Sequence, residues 1–351
     1  MSEAETLASV ADVGGPQQPL LEVRSLSKHF KLSGGLFGQG GVVRAVDDVS
    51  FAVGKGEILG IVGESGCGKS TTARLIIGLI APDVGEIILD GEAVGAALSV
   101  RVLRRRVQMV FQDSYASLNP RLTIEDTIAF GPKVHGCSAD EAHTRAHDLL
   151  CKVGLDPALF ADRYPHELSG GQRQRVNIAR ALALAPRLVL LDEAVSALDK
   201  SVEAQVLNLL LDLKDDLGLT YVFISHDLSV MRQICTRIAV MYLGRIVELA
   251  ESETIFEHPR HPYTALLISA VPRLSANGKK RERVVVGGDV PSPIDPPSGC
   301  VFHPRCPRFH AGHCDVVEPE LVPAPGDSSH IAACYYPLEY AGQIERETLA
   351  P

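Results

Sequence analysis

The chain has 351 residues, of which 46% are hydrophobic and 22% charged, and its formal net charge is −9. That length suits one large α/β domain with a smaller appended element, and the composition excludes a coiled coil or a chain disordered over most of its length. The negative charge gives no electrostatic reason to expect nucleic acid as a partner, because nucleic-acid-binding proteins carry basic surfaces.

The first residues are small, polar and acidic. Residues 1–19 have neither the basic flank nor the apolar stretch of a secretory signal, so we expect a disordered tail on a protein that stays in the cytoplasm. No apolar run reaches the roughly 18–20 residues that cross a bilayer. Any association with a membrane is therefore expected to come through a partner.

Two segments then alternate apolar and polar residues, as half-buried strands do. They are LLEVRSLSKHF and, after a glycine-rich stretch, VRAVDDVSFAV. We expect paired strands joined by a long turn.

The next segment, GEILGIVGESGCGKSTTARLIIGLI, has the order of a buried strand, a glycine-rich turn and a helix. GESGCGKS matches the phosphate-loop pattern G-x4-G-K-[ST] in the context that the pattern requires. Glycines let backbone N–H groups converge on phosphates, Lys69 reaches the terminal phosphates, the Ser70 hydroxyl binds Mg²⁺ and Thr71 donates to the α-phosphate. Cys67 is interpreted as a tolerated small residue, not a redox switch. The predicted nucleotide contacts here are Gly63, Ser65, Gly66, Cys67, Gly68, Lys69, Ser70 and Thr71.

The middle of the chain has two helical patterns. RVLRRR at 101–106 interleaves arginines with apolar residues, and a helix with a solvated basic face is favoured over a phosphate-binding patch. DEAHTRAHDLLCKVGL indicates a helical insert. Its apolar face would hold Ala142, Ala146, Leu149, Leu150 and Val153.

Two further apolar strands, RLVLLDE and LTYVFISHD, flank an amphipathic helix, and strands that alternate with helices imply a mainly parallel sheet. Asp192 ends the first of these strands, where a carboxylate is costly unless it faces a cation, so we interpret it as linked to Mg²⁺. Glu193 can then polarise the attacking water as a general base. A capping Asp with a surface Glu would fit any such turn, but the upstream phosphate loop disfavours that alternative.

LSGGQRQR at 168–175 places Ser and two Gly at a helix start, which is an ordinary helix entry or a second anion site. Because it precedes LLDE at this distance, the sequence resembles the nucleotide-binding subunits of ABC transporters, whose LSGGQ signature precedes a Walker B strand. The resemblance implies that the signature residues contact ATP. These residues are Ser169, Gly170, Gly171 and Gln172.

The resemblance also implies roles for single residues elsewhere. Gln112 in VFQD matches the Q-loop glutamine, a Mg²⁺ ligand together with Ser70 and Asp192, and Asp199 in SALD matches the D-loop. Phe30 matches the residue that stacks on adenine, although tyrosine is more usual there and a lone Phe is often core. The implied catalytic residues are Glu193, His226 (the switch histidine of ISHD) and Gln112.

The implied fold is an α/β phosphate-loop ABC ATPase domain with an antiparallel β subdomain and a helical subdomain, plus a small Cys-rich C-terminal element. The domain would cover 20–258, with the helical subdomain at about 113–172; an extension would cover 259–340 and a tail 341–351. In this family ATP lies between the phosphate loop of one subunit and the signature of another. One set of motifs in this chain therefore implies a second ATPase subunit, in a heterodimer.

The stretches around SALDKSVEAQ and HPRHPYTALLISAVP resemble the F-type ATPase subunit of oligopeptide and dipeptide importers, with nickel and glutathione importers as near relatives. The resemblance implies ATP-driven uptake, two transmembrane permease subunits, an extracytoplasmic substrate-binding protein, and a peripheral place on the cytoplasmic face of a bacterial membrane. A non-transport ABC ATPase acting on ribosomes or DNA is the alternative, but such proteins usually carry two cassettes or long coiled coils.

Four cysteines cluster near the C-terminus with the spacing C-x5-C-x7-C-x19-C: Cys300, Cys306, Cys314 and Cys334. A disulfide framework is disfavoured in a reducing compartment, and four thiolates suit Zn²⁺ or a [4Fe–4S] cluster. The spacing does not choose between them, and neighbouring histidines allow a mixed zinc site. Several relatives with this extension carry an iron–sulfur cluster, so the resemblance favours [4Fe–4S] in a structural role, with zinc, free thiols and redox regulation left open.

Overall fold

The computed structural model describes residues 15, 17–32, 41–270 and 289–338. Most of the two predicted tails, the long turn after the first strand and residues 271–288 lie outside the described residues. In chain order the strands are β1 Leu21–Leu32, β2 Gly41–Val53, β3 Ile58–Val62, β4 Val84–Leu89, β5 Glu92–Ala93, β6 Val107–Val110, β7 Leu188–Asp192, β8 Thr220–Ile224, β9 Arg237–Tyr242, β10 Arg245–Glu251, β11 Val322–Ala324 and β12 Asp327–Ala332.

The helices are α1 Lys69–Ile76, α2 Val100–Arg106, α3 Ile124–Val134, α4 Ala139–Lys152, α5 Pro157–Phe160, α6 Gly170–Leu182, α7 Lys200–Leu217, α8 Leu228–Ile234, α9 Ser252–Glu257 and α10 Pro262–Ser269. Two 3-10 turns occupy Pro165–Glu167 and His303–Arg305. No helix in the described ranges is both long and apolar enough to cross a membrane.

The first two predicted strands are paired in an antiparallel sheet. Its order is β2-β1-β4-β5, and β1 pairs antiparallel with both β2 and β4. The apolar residues of the alternating pattern, such as Leu21, Val23 and Val53, are buried. The prediction of paired strands is therefore confirmed, and the sheet is the antiparallel part of the predicted fold.

The second sheet has the order β11-β12-β10-β9-β3-β8-β7-β6. Strands β9, β3, β8, β7 and β6 pair in parallel, whereas β10, β12 and β11 pair antiparallel. Every residue of β3, β7 and β8 is buried, which explains why these strands read as continuous apolar runs. The prediction of a mainly parallel sheet with helices is confirmed.

The predicted helical face in the middle of the chain is also confirmed. Ala142, Ala146, Leu149, Leu150 and Val153 are all buried in one core cluster with residues of α3 and α6. A capping box at Ser138 and Glu141 starts α4. The basic segment forms α2, where Leu103 is buried and the arginines are exposed or half-buried.

The C-terminal cysteine region is joined to the main sheet by backbone pairing. β12 pairs with β10 through Glu248↔Ala332 and Leu249↔Ile331. The sequence does not predict this strand, because the segment is short and rich in proline and its partner β10 lies about 80 residues earlier. The added strands cover the edge of β10, which would otherwise expose unpaired backbone groups.

Candidate active site

The phosphate loop runs from the end of β3 to the start of α1. Gly63 and Gly68 have φ values of +154° and +106°, which L side chains rarely adopt. A Cβ on Gly63 would lie 2.1 Å from the Met241 carbonyl oxygen, and one on Gly68 would lie 2.2 Å from that of Ala45. Close approach of neighbouring backbone therefore requires glycine at both ends of the loop.

The lysine of the loop is poised inside it. Lys69 is 5% exposed, and its Nζ donates to the carbonyl oxygens of Gly63 (2.8 Å) and Glu64 (2.9 Å). Cys67 is buried, with its Sγ 3.7 Å from Lys69 Nζ, and burial raises the pKa of its thiol. A thiol that stays protonated is a weak nucleophile, which agrees with the interpretation of Cys67 as a small packing residue.

Asp192 and Ser70 form the predicted Mg²⁺ pair. The Ser70 hydroxyl donates to Asp192 Oδ1 at 2.9 Å, and Asp192 is 3% exposed. Burial raises the pKa of this carboxyl group in spite of the serine hydrogen bond. A buried carboxylate of this kind gains most from a nearby cation, so the pair fits Mg²⁺.

The three predicted catalytic side chains meet at one carboxylate. Gln112 Nε2 donates to Glu193 Oε2 at 2.6 Å, and His226 Nδ1 lies 3.3 Å from Glu193 Oε1. Gln112 thus contacts Glu193 and not the Ser70–Asp192 pair in this structure. Glu193 itself has a φ of +48°, a strained conformation for a non-glycine residue of the kind that clusters at functional sites.

The signature residues open α6. Ser169 is the N-cap of this helix, and it forms a capping box with Gln172: Gln172 N donates to Ser169 Oγ (3.3 Å) and Ser169 N donates to Gln172 Oε1 (2.9 Å). Gly170 and Gly171 supply the first helical N–H groups. This geometry presents the positive end of a 13-residue helix at a half-exposed surface.

Asp199 is the N-cap of α7 and makes no side-chain capping bond there. The next residue, Lys200, bonds Glu203 and Asp227 at 2.9 Å each, and these bonds raise its pKa to about 12. Asp227 follows His226 directly. Lys200 therefore ties the end of the D-loop to the residue beside the switch histidine. The local sequence does not reveal this link, because Lys200 lies just outside the D-loop motif and Asp227 is 27 residues away.

The Q-loop segment is anchored to α6. Asn177, which is fully buried, accepts from the Ser117 hydroxyl (2.9 Å) and donates to the Ser114 carbonyl oxygen (3.0 Å). Tyr115 in the same segment is 53% exposed. The segment after Gln112 thus lies against the helix that begins with the signature.

Phe30, the predicted adenine-stacking residue, lies near the end of β1. It is 37% exposed, and Lys28 Nζ lies 5.7 Å from its ring centroid. A ring this exposed is not a core residue, and its exposure is compatible with the predicted stacking on adenine.

The four clustered cysteines surround one cavity, which is lined by Cys300, Cys306, Cys314, Cys334, Phe302, His303, Tyr335, Tyr336 and their neighbours. Burial raises the pKa of the Cys306 thiol to about 11 and that of Cys334 to about 12. None of the eight cysteines is in a disulfide. In the described part of the chain, no group of three or more His, Cys, Asp or Glu side chains is arranged to hold a metal ion.

The histidines near this cavity are mostly engaged elsewhere. His330 is buried and bonds Glu248 at 2.7 Å, and His313 contacts the Tyr336 hydroxyl at 3.0 Å. His303 lines the cavity. A mixed zinc site that includes His330 does not agree with its hydrogen bond to Glu248.

Two family profiles match the chain. The profile described as ABC transporter matches residues 46–196, and the one described as oligopeptide/dipeptide transporter, C-terminal region, matches residues 247–314. The chain is 52% identical over 320 residues to a probable peptide ABC transporter ATP-binding protein of Sinorhizobium fredii, covering 90% of this chain and 89% of that protein.

Two further relatives have similar coverage. The oligopeptide transport ATP-binding protein AppF of Bacillus subtilis is 48% identical (91% of this chain, 98% of that protein), and the dipeptide transport ATP-binding protein DppF of Escherichia coli is 45% identical (91% and 95%). Among solved structures, the chain is similar to cbiO1 of Clostridium perfringens, part of the ABC transporter complex cbiONQ, with a TM-score of 0.58 and 26% identity (68% and 91% coverage). It is also similar to the dimeric ATP-binding cassette MJ0796 in a post-hydrolysis state with ADP and phosphate, with a TM-score of 0.57 and 30% identity (66% and 98%).

Proposed function

This chain belongs to the ABC transporter ATP-binding family and carries the C-terminal region of its oligopeptide/dipeptide branch, and we propose that it is the ATPase subunit of an importer that takes up di- and oligopeptides across the cytoplasmic membrane. The observation that carries the proposal is the meeting of Gln112 and His226 on Glu193, one residue beyond the Ser70–Asp192 pair. The general base and the two side chains that orient it therefore lie together within this one chain.

ATP binding rests on the phosphate loop. The loop N–H groups and the start of α1 hold the phosphates, and Lys69 moves its ammonium from two backbone carbonyls to the terminal phosphates. Phe30 stacks on the base. Ser70 and Asp192, together with Gln112, would hold Mg²⁺, and the bound ion would neutralise negative charge on the phosphate oxygens.

Hydrolysis rests on Glu193. Its carboxylate accepts a proton from the attacking water as a general base, and the hydrogen bonds from Gln112 and His226 fix the orientation of its two oxygens. Loss of Gln112 or of His226 would remove one of the two hydrogen bonds that orient the Glu193 carboxylate. Both residues therefore affect the rate of ATP hydrolysis through Glu193.

A second ATPase subunit completes the site. Ser169, Gly170, Gly171 and Gln172 lie at the start of α6, where helix N–H groups can contact the phosphates of ATP held by a partner, with Asp199 at the same interface. The dimeric structure of a similar cassette with ADP and phosphate supports this pairing. We propose a heterodimer, because the sequence resembles the F-type subunit, the second of two ATPase subunits in importers of this branch.

Two permease subunits and an extracytoplasmic substrate-binding protein complete the importer, with this chain peripheral on the cytoplasmic face. The Q-loop segment supports a docking role because exposed Tyr115 lies on it and Asn177 fastens it to α6. A movement of this segment would therefore shift Gln112, which precedes it in the chain, and the signature helix α6, to which it is bonded.

The assignment of peptides as the transported substrate is supported by the similar peptide, oligopeptide and dipeptide transport proteins. A nickel or glutathione importer is the alternative role. The test is uptake of labelled dipeptide, nickel and glutathione by a host that lacks its own importers and carries this chain with its permease and binding-protein partners. We expect dipeptide uptake with the unaltered chain and none with Glu193→Gln; uptake of nickel alone would overturn the peptide assignment.

We also propose a [4Fe–4S] cluster held by Cys300, Cys306, Cys314 and Cys334, with Zn²⁺ as the alternative. The placement of all four thiols on one cavity supports a shared ligand. Burial raises the pKa of the Cys300, Cys306 and Cys334 thiols, so a metal ion that compensates the thiolate charge would favour their deprotonation. The test is iron, acid-labile sulfide and zinc content after purification without oxygen. About four irons and four sulfides per chain, lost in a Cys300→Ser/Cys306→Ser variant, are expected; one zinc without sulfide would contradict the cluster.

A further inference from the structure

One side chain of the Cys-rich C-terminal segment from Cys300 to Cys334, here called the cysteine element, contacts the phosphate loop. Arg305 immediately precedes Cys306, and its guanidinium donates to both carboxylate oxygens of Glu64, at 2.8 and 3.0 Å. Glu64 is the second residue of the phosphate loop. The Arg305 side chain is 9% exposed and that of Glu64 is 25% exposed, so this is a two-pronged ion pair largely shielded from water.

The same part of the loop is held from its backbone. Glu64 N donates to the hydroxyl of Tyr263 at 2.9 Å, and Tyr263 is fully buried in α10. The ring of Tyr263 packs against Tyr242 and Phe302, with centroids 4.6 and 5.3 Å away. Phe302 is part of the cysteine element and lines its cavity.

Glu64 also contacts Lys69, the lysine of the phosphate loop that is predicted to bind the terminal phosphates of ATP. Lys69 Nζ donates to the Glu64 carbonyl oxygen. Glu64 therefore has three fixed groups: its carboxylate on Arg305, its N–H on Tyr263 and its carbonyl oxygen facing Lys69. Its charge matters most, because an unpaired carboxylate in the phosphate loop would repel the phosphates of ATP.

We propose that Arg305 is a positioning residue for the phosphate loop. Arg305 holds Glu64 in place and neutralises its charge, so the affinity for nucleotide depends on the cysteine cavity beside Arg305. This inference rests on the proposed binding of ATP at the phosphate loop. The proposal predicts that loss of Arg305 weakens the binding of a nucleotide more, the more negative charge the nucleotide carries. If loss of Arg305 only loosened the loop, ATP and ADP binding would weaken equally. Removal of the Glu64 charge would then not restore the affinity.

The experiment is a fluorescence titration of the full-length chain with N-methylanthraniloyl ATP and ADP at fixed Mg²⁺. For Arg305→Gln we expect the Kd for ATP to rise on the order of tenfold and that for ADP about threefold, as for one uncompensated charge near the phosphates in a partly screened site. Arg305→Lys keeps the charge and should stay within about threefold of the unaltered chain. The double variant Glu64→Gln/Arg305→Gln should return to within about twofold.

The matched control is Arg24→Gln, because Arg24 forms a two-pronged pair with Glu22 at 2.8 and 2.9 Å on an exposed part of β1. It should leave both Kd values unchanged. Equal weakening of ATP and ADP without rescue by Glu64→Gln would overturn the proposal, as would an unchanged Kd in Arg305→Gln. The ATP affinity of the unaltered chain reports separately on the proposed function, since the inference concerns only the ratio between variant and unaltered chain.

The dependence on the cysteine cavity is tested in two backgrounds. Cys306→Ser should raise the Kd for ATP in the unaltered chain and leave it unchanged in Glu64→Gln, because the effect travels through the Arg305–Glu64 pair. An equal rise in both backgrounds, or no rise in either, would contradict this route. Circular dichroism of each variant identifies any that fail to fold. If Arg305→Gln is one of these, Arg305→Lys and the double variant test whether Arg305 acts by neutralising Glu64.

Discussion

The buried carboxylate of Glu248 fastens the C-terminal region to the main sheet, and its loss should be costly. Glu248 is fully buried in β10 and accepts hydrogen bonds from Arg260 N (2.7 Å), His261 N (2.9 Å) and the His330 ring (2.7 Å). Glu248→Ala leaves two backbone N–H groups and one imidazole without that acceptor. Two of these donors, His261 N and the His330 ring, are buried, and each buried donor left unsatisfied costs about 1–3 kcal/mol. The free energy of unfolding should therefore fall by about 2–6 kcal/mol.

The assay is urea denaturation followed by circular dichroism, with amide hydrogen exchange to locate the loss. Protection should fall first at β12 and at Ala333, whose N–H donates to the Val247 carbonyl oxygen. The matched control is Glu86→Ala, which removes an exposed glutamate from β4 and should change the unfolding free energy by less than about 0.5 kcal/mol. If Glu248→Ala unfolds at the same urea concentration as the control, the hydrogen-bond reasoning is wrong.

Three further predictions concern the active site and its support. Glu193→Gln should lower ATP hydrolysis by about 10²–10⁴-fold and leave a persistent ATP-bound dimer, measured by phosphate release and gel filtration; hydrolysis at the unaltered rate would contradict the general-base role. Ser70→Ala removes the hydroxyl that bonds Asp192, so Mg²⁺ should improve ATP binding much less than in the unaltered chain, and an undiminished Mg²⁺ effect would exclude Ser70 as a ligand. Asn177→Leu should cost about 1–3 kcal/mol of unfolding free energy, because it leaves the half-buried Ser117 hydroxyl and Ser114 carbonyl without their partner, whereas Asn208→Leu on the exposed surface of α7 should not; equal stabilities would remove Asn177 as the anchor.

The active-site motifs could be predicted because each is local in sequence. The phosphate loop needs glycines where backbones approach at Gly63 and Gly68, and the Asp192–Glu193 pair follows a buried strand, so the chemistry is visible in a few consecutive letters. Parallel strands β3, β7 and β8 are recognisable for the same reason, since burial on both faces makes them continuously apolar.

The links between distant segments could not be predicted. Arg305 pairs with Glu64, and His330 with Glu248, across more than eighty residues, and nothing in the local pattern of either partner marks it. Charged and titratable side chains usually face water, so only the fold reveals that the Arg305–Glu64 pair is largely shielded and that Glu248 and His330 are buried. The position of β12 beside β10 was missed for the same reason, because its pairing is specified by a distant edge and not by its own six residues.

The most direct test of the account is ATP hydrolysis by the assembled importer in lipid vesicles, measured with and without peptide-loaded binding protein. The account predicts that peptide-loaded binding protein stimulates hydrolysis and that Glu193→Gln in this chain abolishes the stimulated rate. Hydrolysis that is indifferent to peptide, or a stimulated rate that survives Glu193→Gln, would contradict the claim that this chain powers peptide uptake.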